Sequence, residues 1–444
     1  MRSLENVNIQ TAKLIAAGML ALLIATFLVG ISYYLIPEKE VLFPSPSDVF
    51  LNISFSINLP RITIATDGAI TPDDAPITQK GNVYSFTSDI FNYTLEIQKD
   101  DIIIDGGGHF FAVYINGSRV FGDYGIILSG RKNVTIRNVC VEKYWQGIVA
   151  QNCSGLTIES AKISEIGSSA ITIADSNDII IRENSINGVG RALDVYTAPL
   201  DQALKLTITE NTIISATAGI QLHSGLCGVI TKNSFNAVYT PIWVASNSTI
   251  ISDNILSNGI DGIVIGGKYS INENSSGGSN CIIFGNRISN FTESGISFSI
   301  GVNNIIYQNN IIDNKYGIAI NLGGDASGAW IVENNTIYHN NFINNMYDVF
   351  IGGACGLNYW DNGKEGNYWS KIAGSDVDKD GRSDTPYVIC ANNIDRYPLM
   401  DPYGNPEIQQ PLSSQMFALY VAVGLAFSVA VMAGAAVYTK KRKK

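Results

Sequence analysis

A six-residue pattern recurs through the middle of this 444-residue chain. Each copy has an isoleucine, two variable residues, an asparagine, one variable residue and an apolar residue. The stretch IIIRENSIN, residues 179–187, contains the first complete copy, and two weaker copies without the asparagine precede it. The complete copies place their asparagines at Asn184, Asn211, Asn233, Asn254, Asn286, Asn309 and Asn340.

Successive asparagines of this pattern are 27, 22, 21, 32, 23 and 31 residues apart. The base period is about 22 residues, and periods of this length are typical of solenoid proteins. The units are rich in isoleucine and valine, whereas a leucine-rich repeat would show leucine at fixed positions and a helical segment. A small residue followed by alternating apolar residues also occurs once per repeat, for example at Gly147, Gly219 and Gly295.

These two columns predict an all-β fold, a right-handed parallel β-helix, with at least two short strands in each coil. Counted from Tyr84, the chain would form roughly a dozen coils with a rise of about 4.8 Å per coil. An asparagine side chain both donates and accepts hydrogen bonds, so asparagines stacked at one bend can satisfy each other inside an apolar core. We therefore interpret the seven asparagines as a structural ladder, with a simple turn preference of asparagine as the alternative.

Two uncharged apolar segments, residues 14–36 and 416–438, stand apart from the polar middle of the chain. Each is long enough to cross the ~30 Å hydrocarbon core of a bilayer as a helix. Arg2 and Lys13 precede the first segment, and residues 440–444 after the second are all basic. The positive-inside rule then predicts a cell-membrane protein with both termini cytoplasmic and the bulk of the chain extracellular. A cleaved signal peptide at the N-terminus and a sorting signal at the C-terminus are the alternatives.

These features predict the organisation of the whole chain. Proline-containing linkers join the apolar ends to the repeat region. The expected segments are a cytoplasmic N-terminus (1–13), a transmembrane helix or signal anchor (14–36), a linker (37–60), an N-terminal cap with the first coil (61–100), the parallel β-helix (101–352), a C-terminal cap with an acidic loop (353–402), a second linker (403–415), a transmembrane helix (416–438) and a basic cytoplasmic tail (439–444).

The formal net charge of −10 argues against nucleic acid as a partner, because nucleic-acid binding requires a basic surface. An acidic exterior favours divalent cations instead. The sequence does not determine the oligomeric state. The cysteines form no CxxC motif. Disulfides can persist outside the cell, but small buried thiols explain the cysteines equally well, and no pairing follows from the sequence. The six cysteines are Cys140, Cys153, Cys227, Cys281, Cys355 and Cys390.

Three repeats are longer than the others, with the surplus in residues 196–204, 266–280 and 323–334. Each surplus follows the second strand of its coil, so all three loops should emerge at one edge and could line a groove there. Aromatic rings beside carboxylates suit the faces and hydroxyl groups of sugars. Insertions without function are the alternative, because solenoid loops tolerate them. The candidate carbohydrate ligands are Tyr196, Asp201, Tyr269, Glu273, Asp325 and Trp330.

An acidic run, DVDKDGRSD at residues 376–384, matches the first nine positions of a calcium-binding loop. Gly381 would make the sharp turn, and the bidentate glutamate of such loops is replaced by Tyr387. We predict Ca²⁺ of moderate affinity that staples the C-terminal cap, with a solvated acidic turn as the alternative. The predicted ligands are Asp376, Asp378, Asp380, the carbonyl of Arg382 and Asp384.

Several motifs together resemble a known family. They are RITIATDGAITPDD from residue 61, DIIIDGGGHFF from residue 101, and the closing run GNYWS…DVDKDG…DTPY…DRYPL between residues 366 and 399. The chain resembles the NosD-like right-handed parallel β-helix proteins, especially archaeal surface forms. The resemblance implies an exported, surface-attached protein of the carbohydrate-binding or sugar-hydrolase type.

Copper binding is also attached to the name of this family. Copper sites require clustered imidazole or sulfur ligands. The histidines and methionines of the predicted exterior lie far apart in the repeat frame, so copper delivery is disfavoured. They are His109, His223, His339, Met346 and Met400.

The sequence favours a binding or scaffold protein over an enzyme, and no catalytic residue is assigned. A polysaccharide hydrolase on this fold needs several converging aspartates, but Asp194 and Asp261 are each expected to be alone in their coils. A lyase needs an Arg or Lys base beside a carboxylate cluster. Arg191 and Lys205 flank the first long loop without such a cluster, and we interpret His223 as structural. A lyase or hydrolase that uses the loop-lined edge remains the alternative.

Overall fold

The computed structural model of the chain describes residues 55–114, 120–196, 204–223, 226–267, 277–320, 332–352, 356–372 and 374–404. These residues form strands, turns and bends. They contain no helix that could cross a lipid bilayer. The predicted spans at 14–36 and 416–438 lie outside the described residues.

The strands stack into three faces of a prism, each built from parallel strands contributed once per coil. The first face is a separate 12-stranded sheet, which opens with an antiparallel strand, Ile77–Lys80. The pairing of all its other strands is parallel. They are Val83–Phe86, Ile103–Asp105, Thr135–Arg137, Ser154–Glu159, Asn177–Arg182, Leu204–Thr209, Leu226–Thr231, Ile250–Ser252, Ile282–Phe284, Ile305–Tyr307 and Thr336–Tyr338.

The second and third faces belong to one 22-stranded sheet, because in the middle coils single long strands turn the corner between them. These long strands are Lys162–Ala174, Ser185–Tyr196, Thr212–Leu222 and Ser234–Val244. The second face also has Ile90–Phe91, Phe110–Ala112, Cys140–Glu142, Ile255–Gly259, Arg287–Phe291, Asn310–Ile312, Asn341–Ile343 and Tyr368–Trp369. The third face also has Arg61–Ile64, Thr94–Ile97, Val120–Ser129, Tyr144–Gln151, Ile263–Ile265, Ser294–Phe298, Tyr316–Ile320 and Tyr347–Ile351.

Short strands complete the described fold. Phe55–Ile57 pairs in parallel with the start of Val120–Ser129, and Ile70–Thr71 pairs antiparallel with Arg61–Ile64. Two further pairs lie toward the C-terminus: Gly301–Val302 with Val332–Glu333, and the antiparallel hairpin Tyr387–Cys390 with Asn393–Asp395.

Isoleucine forms the core because its β-branched side chain suits a pleated surface that is buried on one side. In-register parallel pairing stacks like residues directly above one another, as in the pairing of Ile136 with Ile158 and of Ile158 with Ile181. Each fully buried side chain contributes roughly 1.5–3 kcal/mol. The inward column of the first face, exposed by no more than 1%, is Ile104, Ile136, Ile158, Ile181, Ile208, Ile230, Ile251, Ile283, Ile306 and Ile337.

The seven recurring asparagines lie at the corner between the first and second faces. Each is buried, and each side-chain Nδ2 donates to Oδ1 of the next asparagine at 2.9 or 3.0 Å. Each Nδ2 also donates to the main-chain carbonyl of an isoleucine in the preceding coil. The last donation reaches Asn367, so the GNYWS motif extends the ladder by one step.

The backbone makes this corner with a left-handed residue, which the sequence pattern did not reveal. The residue before each ladder asparagine has φ between 54° and 66°. Most of these residues are not glycine, although the left-handed region is uncommon for other residues. They are Glu183, Glu210, Lys232, Asp253, Gly285, Gln308 and His339.

Two shorter asparagine ladders support the other corners in the C-terminal coils. Ahead of the first face, Asn304 donates to Asn335 at 2.9 Å and Asn335 to Asn358 at 2.8 Å. Between the second and third faces, Asn314 donates to Asn345 at 3.0 Å. Earlier coils carry other residues at these corners, and the pattern of the first ladder therefore gave no sign of them.

The C-terminal cap closes the prism with aromatic rings. The Phe342 and Trp369 rings are stacked with centroids 4.3 Å apart, and the Trp369 centroid lies 4.4 Å from that of Tyr387. Trp360 and Trp369 are buried. The indole N–H of Trp369 donates to Asp395 at 2.9 Å, so residues of the closing motifs meet inside the cap.

The cysteines fall into two groups among the described residues. Cys140, Cys153 and Cys281 are free and buried, and Cys227 is free and half-buried. Cys390 is disulfide-bonded. The described cysteines therefore include both buried thiols and a disulfide-bonded residue, the two alternatives that the sequence left open.

Candidate functional site

The three long loops leave the prism at one corner, between the end of the third face and the start of the first. The strands before them end at Tyr196, Ile265 and Ile320, all on the third face. Of the six predicted carbohydrate ligands the structure describes Tyr196, which is 44% exposed. The other five, Asp201, Tyr269, Glu273, Asp325 and Trp330, lie outside the described residues.

Beside this corner, the outer side of the third face carries a polar and aromatic group that we name the Asp194 cluster: Arg191, Asp194, Tyr196, His223 and Trp243. The His223 Nε2 and Asp194 Oδ1 atoms are 2.9 Å apart. Arg191 Nη1 lies 3.7 Å from Asp194 Oδ2. Asp194 thus lies between an imidazole and a guanidinium, with 16% of its side chain exposed. This burial strengthens both electrostatic contacts.

Aromatic rings flank the imidazole of the cluster. The Tyr196 and His223 ring centroids are 6.3 Å apart at an interplanar angle of 86°, and those of His223 and Trp243 are 5.1 Å apart at 66°. Both pairs have the edge-to-face geometry that aromatic quadrupoles favour. Burial, followed by the negative charges of Asp194 and Asp175, raises the pKa of the Tyr196 phenol. Tyr196 therefore stays neutral and can donate a hydrogen bond.

The sequence analysis did not place a histidine beside Asp194. The hydrogen-bond partner His223 is 29 residues further along the chain, since the first long loop intervenes. Register explains the contact: Asp194 pairs with Gln221 and Val195 with Leu222, so His223 follows beside Tyr196 and lies diagonal to Asp194. Alignment on the small-residue column, through Ala192 and Gly219, would have placed them together.

Polar atoms near the cluster lack hydrogen-bond partners. Ser169 Oγ, Thr172 Oγ1 and Gln221 Oε1 are buried and unpartnered among the described residues. Ser169 pairs in register with Arg191, and Thr172 with Asp194. Buried polar groups in folded proteins normally have a partner, such as ordered water or a ligand. The third face therefore has hydrogen-bonding capacity beyond its protein contacts.

Asp261 lies apart from the Asp194 cluster on the same face. It accepts a hydrogen bond from the backbone N–H of Ser294 at 3.2 Å, and burial raises the pKa of its carboxyl group. Lys205 also does not join the cluster, because its exposed ammonium lies 3.9 Å from Asp178. The Asp194 cluster thus has one carboxylate from the third face beside its histidine.

The predicted calcium loop brings three carboxylates to one point. Oxygen atoms of Asp376, Asp378 and Asp380 lie within 4.8 Å of one another, and Gly381 has a φ of +84° as the sharp turn requires. Asp376 accepts hydrogen bonds from the backbone N–H groups of Asp380 and Gly381, both at 3.0 Å. The loop is therefore closed by its own backbone, with oxygen ligands of the type that calcium prefers.

Two of the predicted calcium ligands have other contacts. The Arg382 side chain binds Asp380, with Nε 2.8 Å from Oδ2, and these hydrogen bonds lower the pKa of Asp380. Asp384 accepts hydrogen bonds from the backbone of Val377 at 2.9 Å and from the hydroxyl of Ser375 at 3.2 Å. A cation would share Asp380 with Arg382.

The histidines of the described residues each contact a carboxylate. His109 lies 3.3 Å from Asp89, and His339 lies 2.8 Å from Glu365. In the described part of the chain, no group of three or more potential metal ligands includes a histidine or a cysteine. These residues do not fit a copper site, and no step is assigned to copper.

The fold and this site define the class: a parallel β-helix with an asparagine-supported core and a polar, aromatic outer face. The family described as "Periplasmic copper-binding protein (NosD)" matches residues 200–374, and "Right handed beta helix region" matches residues 84–226. Between residues 84 and 374 the chain is therefore similar to NosD-like proteins and to right-handed parallel β-helices. No curated protein matches it.

Similar solved structures include an alginate lyase from a Paenibacillus species, at 16% identity and a TM-score of 0.40, covering 50% of this chain and 88% of the lyase. The catalytic domain of a GH87 alpha-1,3-glucanase in complex with nigerose is 17% identical with a TM-score of 0.45, covering 65% of this chain and 63% of that one. A mutant tailspike protein of E. coli bacteriophage HK620 in complex with a pentasaccharide is 13% identical with a TM-score of 0.41, covering 63% and 50%.

Proposed function

We propose that this protein binds carbohydrate on the outer side of its third face, at the corner from which the long loops emerge. The Asp194 cluster is the observation that carries the proposal. Its aromatic rings offer surfaces for the apolar side of a sugar ring, while Asp194, Arg191 and His223 offer acceptors and donors for hydroxyl groups. Binding sites commonly combine aromatic surface with a few convergent polar groups in this way.

The setting that we propose is the outside of a cell. The apolar segments at 14–36 and 416–438 would anchor both ends in the membrane, with the β-helix between them extracellular. The disulfide at Cys390 supports an oxidising compartment, and the net charge of −10 disfavours nucleic acid. The protein would then act as a receptor or adhesion scaffold for a cell-surface or environmental polysaccharide.

Calcium at the acidic loop is part of this proposal as a structural staple. Asp376, Asp378 and Asp380 would supply its oxygen ligands, and the cation would offset the repulsion among them. An extracellular module with this ligand number binds calcium weakly, in the range of roughly 10⁻⁴–10⁻³ M.

A second candidate function, cleavage of the bound sugar chain, is favoured by one observation. His223 hydrogen-bonds to Asp194 at 2.9 Å, and a carboxylate that orients an imidazole is the usual arrangement for a general base. Such a base could remove a proton from the sugar or from an attacking water. Measurement of new reducing or unsaturated sugar ends distinguishes this function from binding alone.

A glycan array probed with the detergent-purified full chain tests the proposal. We expect binding to a subset of polysaccharides, a clear loss in Trp243→Ala, and no loss in Trp145→Ala. Trp145 is a matched control because it is a partly exposed tryptophan that packs against Phe121 outside the Asp194 cluster. A protein that binds no glycan, or a Trp243→Ala variant that binds like the wild type, would refute this site.

A further inference from the structure

Nine asparagines of the chain begin an acceptor sequence for N-linked glycans, Asn-x-Ser/Thr with no proline in the middle. Such a sequence acts as an acceptor on the surface of exported proteins, where the attached glycan is bulky and hydrophilic. Three of them, Asn52, Asn116 and Asn274, lie outside the described residues. The other six are Asn92, Asn133, Asn152, Asn247, Asn290 and Asn334.

Two of the six acceptor sequences have a buried threonine. The glycan is attached to the side-chain Nδ2 atom, and the transferring enzyme must also reach the hydroxyl residue. Thr94, in the sequence that begins at Asn92, is 5% exposed, and the Asn92 side chain is held by the Tyr114 backbone at 2.7 and 3.2 Å. Thr249, in the sequence of Asn247, is fully buried. Neither sequence is accessible in the fold.

Two further acceptor sequences have an Nδ2 atom that is already a donor. Asn133 Nδ2 donates to Asp101 Oδ1 of the preceding coil at 2.8 Å. Asn334 Nδ2 donates to Asn303 Oδ1, also of the preceding coil. Both asparagines are exposed, but their amides link adjacent coils. A glycan on either one would compete with that contact.

The acceptor sequence of Asn152 is accessible at one end only. Asn152 is exposed, whereas Ser154 is half-buried and begins the strand Ser154–Glu159. Ser154 pairs there with Asn177 of the next coil. The enzyme would have to open this pairing to reach the serine.

Asn290 differs from the other five asparagines. Asn290 and Thr292 are both exposed, and Thr292 follows the end of the strand Arg287–Phe291. No side-chain hydrogen bond of Asn290 occurs within the described part of the chain. The Thr292 hydroxyl makes one long hydrogen bond, to the Gly259 carbonyl at 3.3 Å. The amide and the hydroxyl are therefore accessible together without loss of a coil-to-coil contact.

The corner around Asn290 leaves room for a glycan. Strand register places Asn258 one coil before it and Asp313 one coil after it, at about 4.8 Å per coil. Both neighbours are exposed. This corner joins the second and third faces, whereas the long loops emerge between the third and first faces. A glycan on Asn290 would therefore leave the Asp194 cluster uncovered.

We propose that Asn290 carries an N-linked oligosaccharide. This inference rests on the extracellular setting of the proposed function, but not on its sugar-binding site. In the transfer, Asn290 Nδ2 forms a bond to C1 of the first sugar of a lipid-linked oligosaccharide. The bond from C1 to the lipid diphosphate oxygen breaks, and one amide proton goes to the released lipid diphosphate. The hydrophilic glycan would hydrate this corner and hinder close approach of other molecules there.

Glycopeptide mass spectrometry tests this inference on the full chain, purified in detergent from the membranes of its source organism. We expect a glycan on the peptide that contains Asn290 and none on the peptides that contain Asn133 or Asn334. In the same host, Asn290→Gln and Thr292→Ala should lose the glycan and Thr292→Ser should keep it. Asn258→Gln, which changes the exposed neighbour without an acceptor sequence, is the matched control and should also keep it.

The outcomes are decisive in both directions. An unmodified Asn290 in the native chain, or a Thr292→Ala variant that keeps the glycan, would overturn the inference. Equal modification of Asn133 and Asn334 would overturn it too, because the contacts described above would then not select the site. Glycan-array binding of Asn290→Gln should equal that of the wild type, so a failure of sugar binding is measured separately from a failure of this modification.

Two routes remove the glycan, so a folding defect in one variant does not obscure the result. Asn290 has a left-handed backbone with a φ of 60°, a conformation that is uncommon for residues other than glycine and asparagine, so Asn290→Gln adds backbone strain. Thr292→Ala removes the acceptor sequence without changing that residue.

Discussion

The backbone N–H of Asn367 donates to the carboxylate of Asp395 at 2.8 Å, so the main asparagine ladder ends on a buried acid. The same carboxylate accepts hydrogen bonds from the Trp369 indole at 2.9 Å and from the Tyr397 backbone at 3.1 Å. The GNYWS and DRYPL motifs therefore cooperate in one structural task. They close the open end of the repeat, where the last coil has no following coil to satisfy its amides.

The burial of Asp395 makes stability depend on pH. Burial raises the pKa of Asp395 from 3.8 to about 6. Because the folded protein then holds its proton more tightly than the unfolded chain, the free energy of unfolding should fall as pH rises from about 4 to about 6. The loss is on the order of 3 kcal/mol. Denaturant titrations followed by tryptophan fluorescence, which reports on buried Trp360 and Trp369, measure it.

The variant Asp395→Asn is the control for this pH dependence, since it keeps an oxygen acceptor and cannot titrate. Its free energy of unfolding should fall less steeply than that of the wild type between pH 4 and pH 6, with the remaining slope due to Asp261 and Asp348, whose pKa values burial also raises. Asp361 does not interfere, because burial raises its pKa but hydrogen bonds from Arg396 outweigh that effect and lower it, so its stabilising contribution is lost only as pH falls below 3.8. Equal slopes for wild type and variant would contradict the assignment to Asp395.

Loss of one rung should destabilise the prism strongly. Asn254→Ala removes the donor to Asn286 Oδ1 at 2.9 Å and the acceptor of Asn233 Nδ2 at 3.0 Å. Asn233 Nδ2 and Asn286 Oδ1 keep main-chain partners, but the buried backbone N–H of Asn233, which donates to Asn254 Oδ1 at 2.9 Å, loses its acceptor, at a cost of roughly 1–3 kcal/mol. Asn236→Ala, an exposed asparagine of the neighbouring coil, should stay within about 0.5 kcal/mol of the wild type. Urea denaturation of both variants measures this difference in stability. Similar midpoints for Asn254→Ala and Asn236→Ala would show that the asparagine ladder does not stabilise the fold.

Calcium should raise the thermal stability of the C-terminal cap. At a concentration one hundred times the dissociation constant the cation contributes about 2.7 kcal/mol by mass action. Asp378→Asn should abolish this gain, because it removes one of the three converging carboxylates. Asp401→Asn, an exposed aspartate outside the loop, should retain it. Differential scanning fluorimetry with Ca²⁺ and with EDTA provides the comparison, and an unchanged wild-type melting temperature argues for a solvated acidic turn.

Neutralising the centre of the candidate site should weaken glycan binding without unfolding the protein. Asp194→Asn keeps the side-chain shape but removes the charge that contacts His223 and Arg191. We expect roughly a tenfold loss of affinity, equivalent to about 1.4 kcal/mol, in isothermal titration calorimetry with the best ligand of the array. Asp178→Asn, whose exposed carboxylate lies 3.9 Å from Lys205, is the matched control. Equal losses in both variants would mean that the effect is general electrostatics.

Much of the fold follows from local pattern. The isoleucine columns and the asparagine spacing identify the parallel stack, since in-register parallel strands place the same position of each repeat in one line. The sequence analysis did not predict the two shorter ladders at Asn304 and Asn314, because each has few members and no isoleucine at a fixed spacing. The left-handed corner residues could not be predicted from residue type, because residues such as Glu183 and Lys232 have no special preference for that conformation.

The sequence by itself determined the repeat, the inward isoleucines and the asparagine ladder, because these depend on spacing alone. Only the tertiary structure decided that Asp194 meets His223 and that Asn367 and Asp395 end the ladder. The reason is that loop insertions change the spacing along the chain but leave the strand register unchanged. Contacts between side chains on the outer face follow the register.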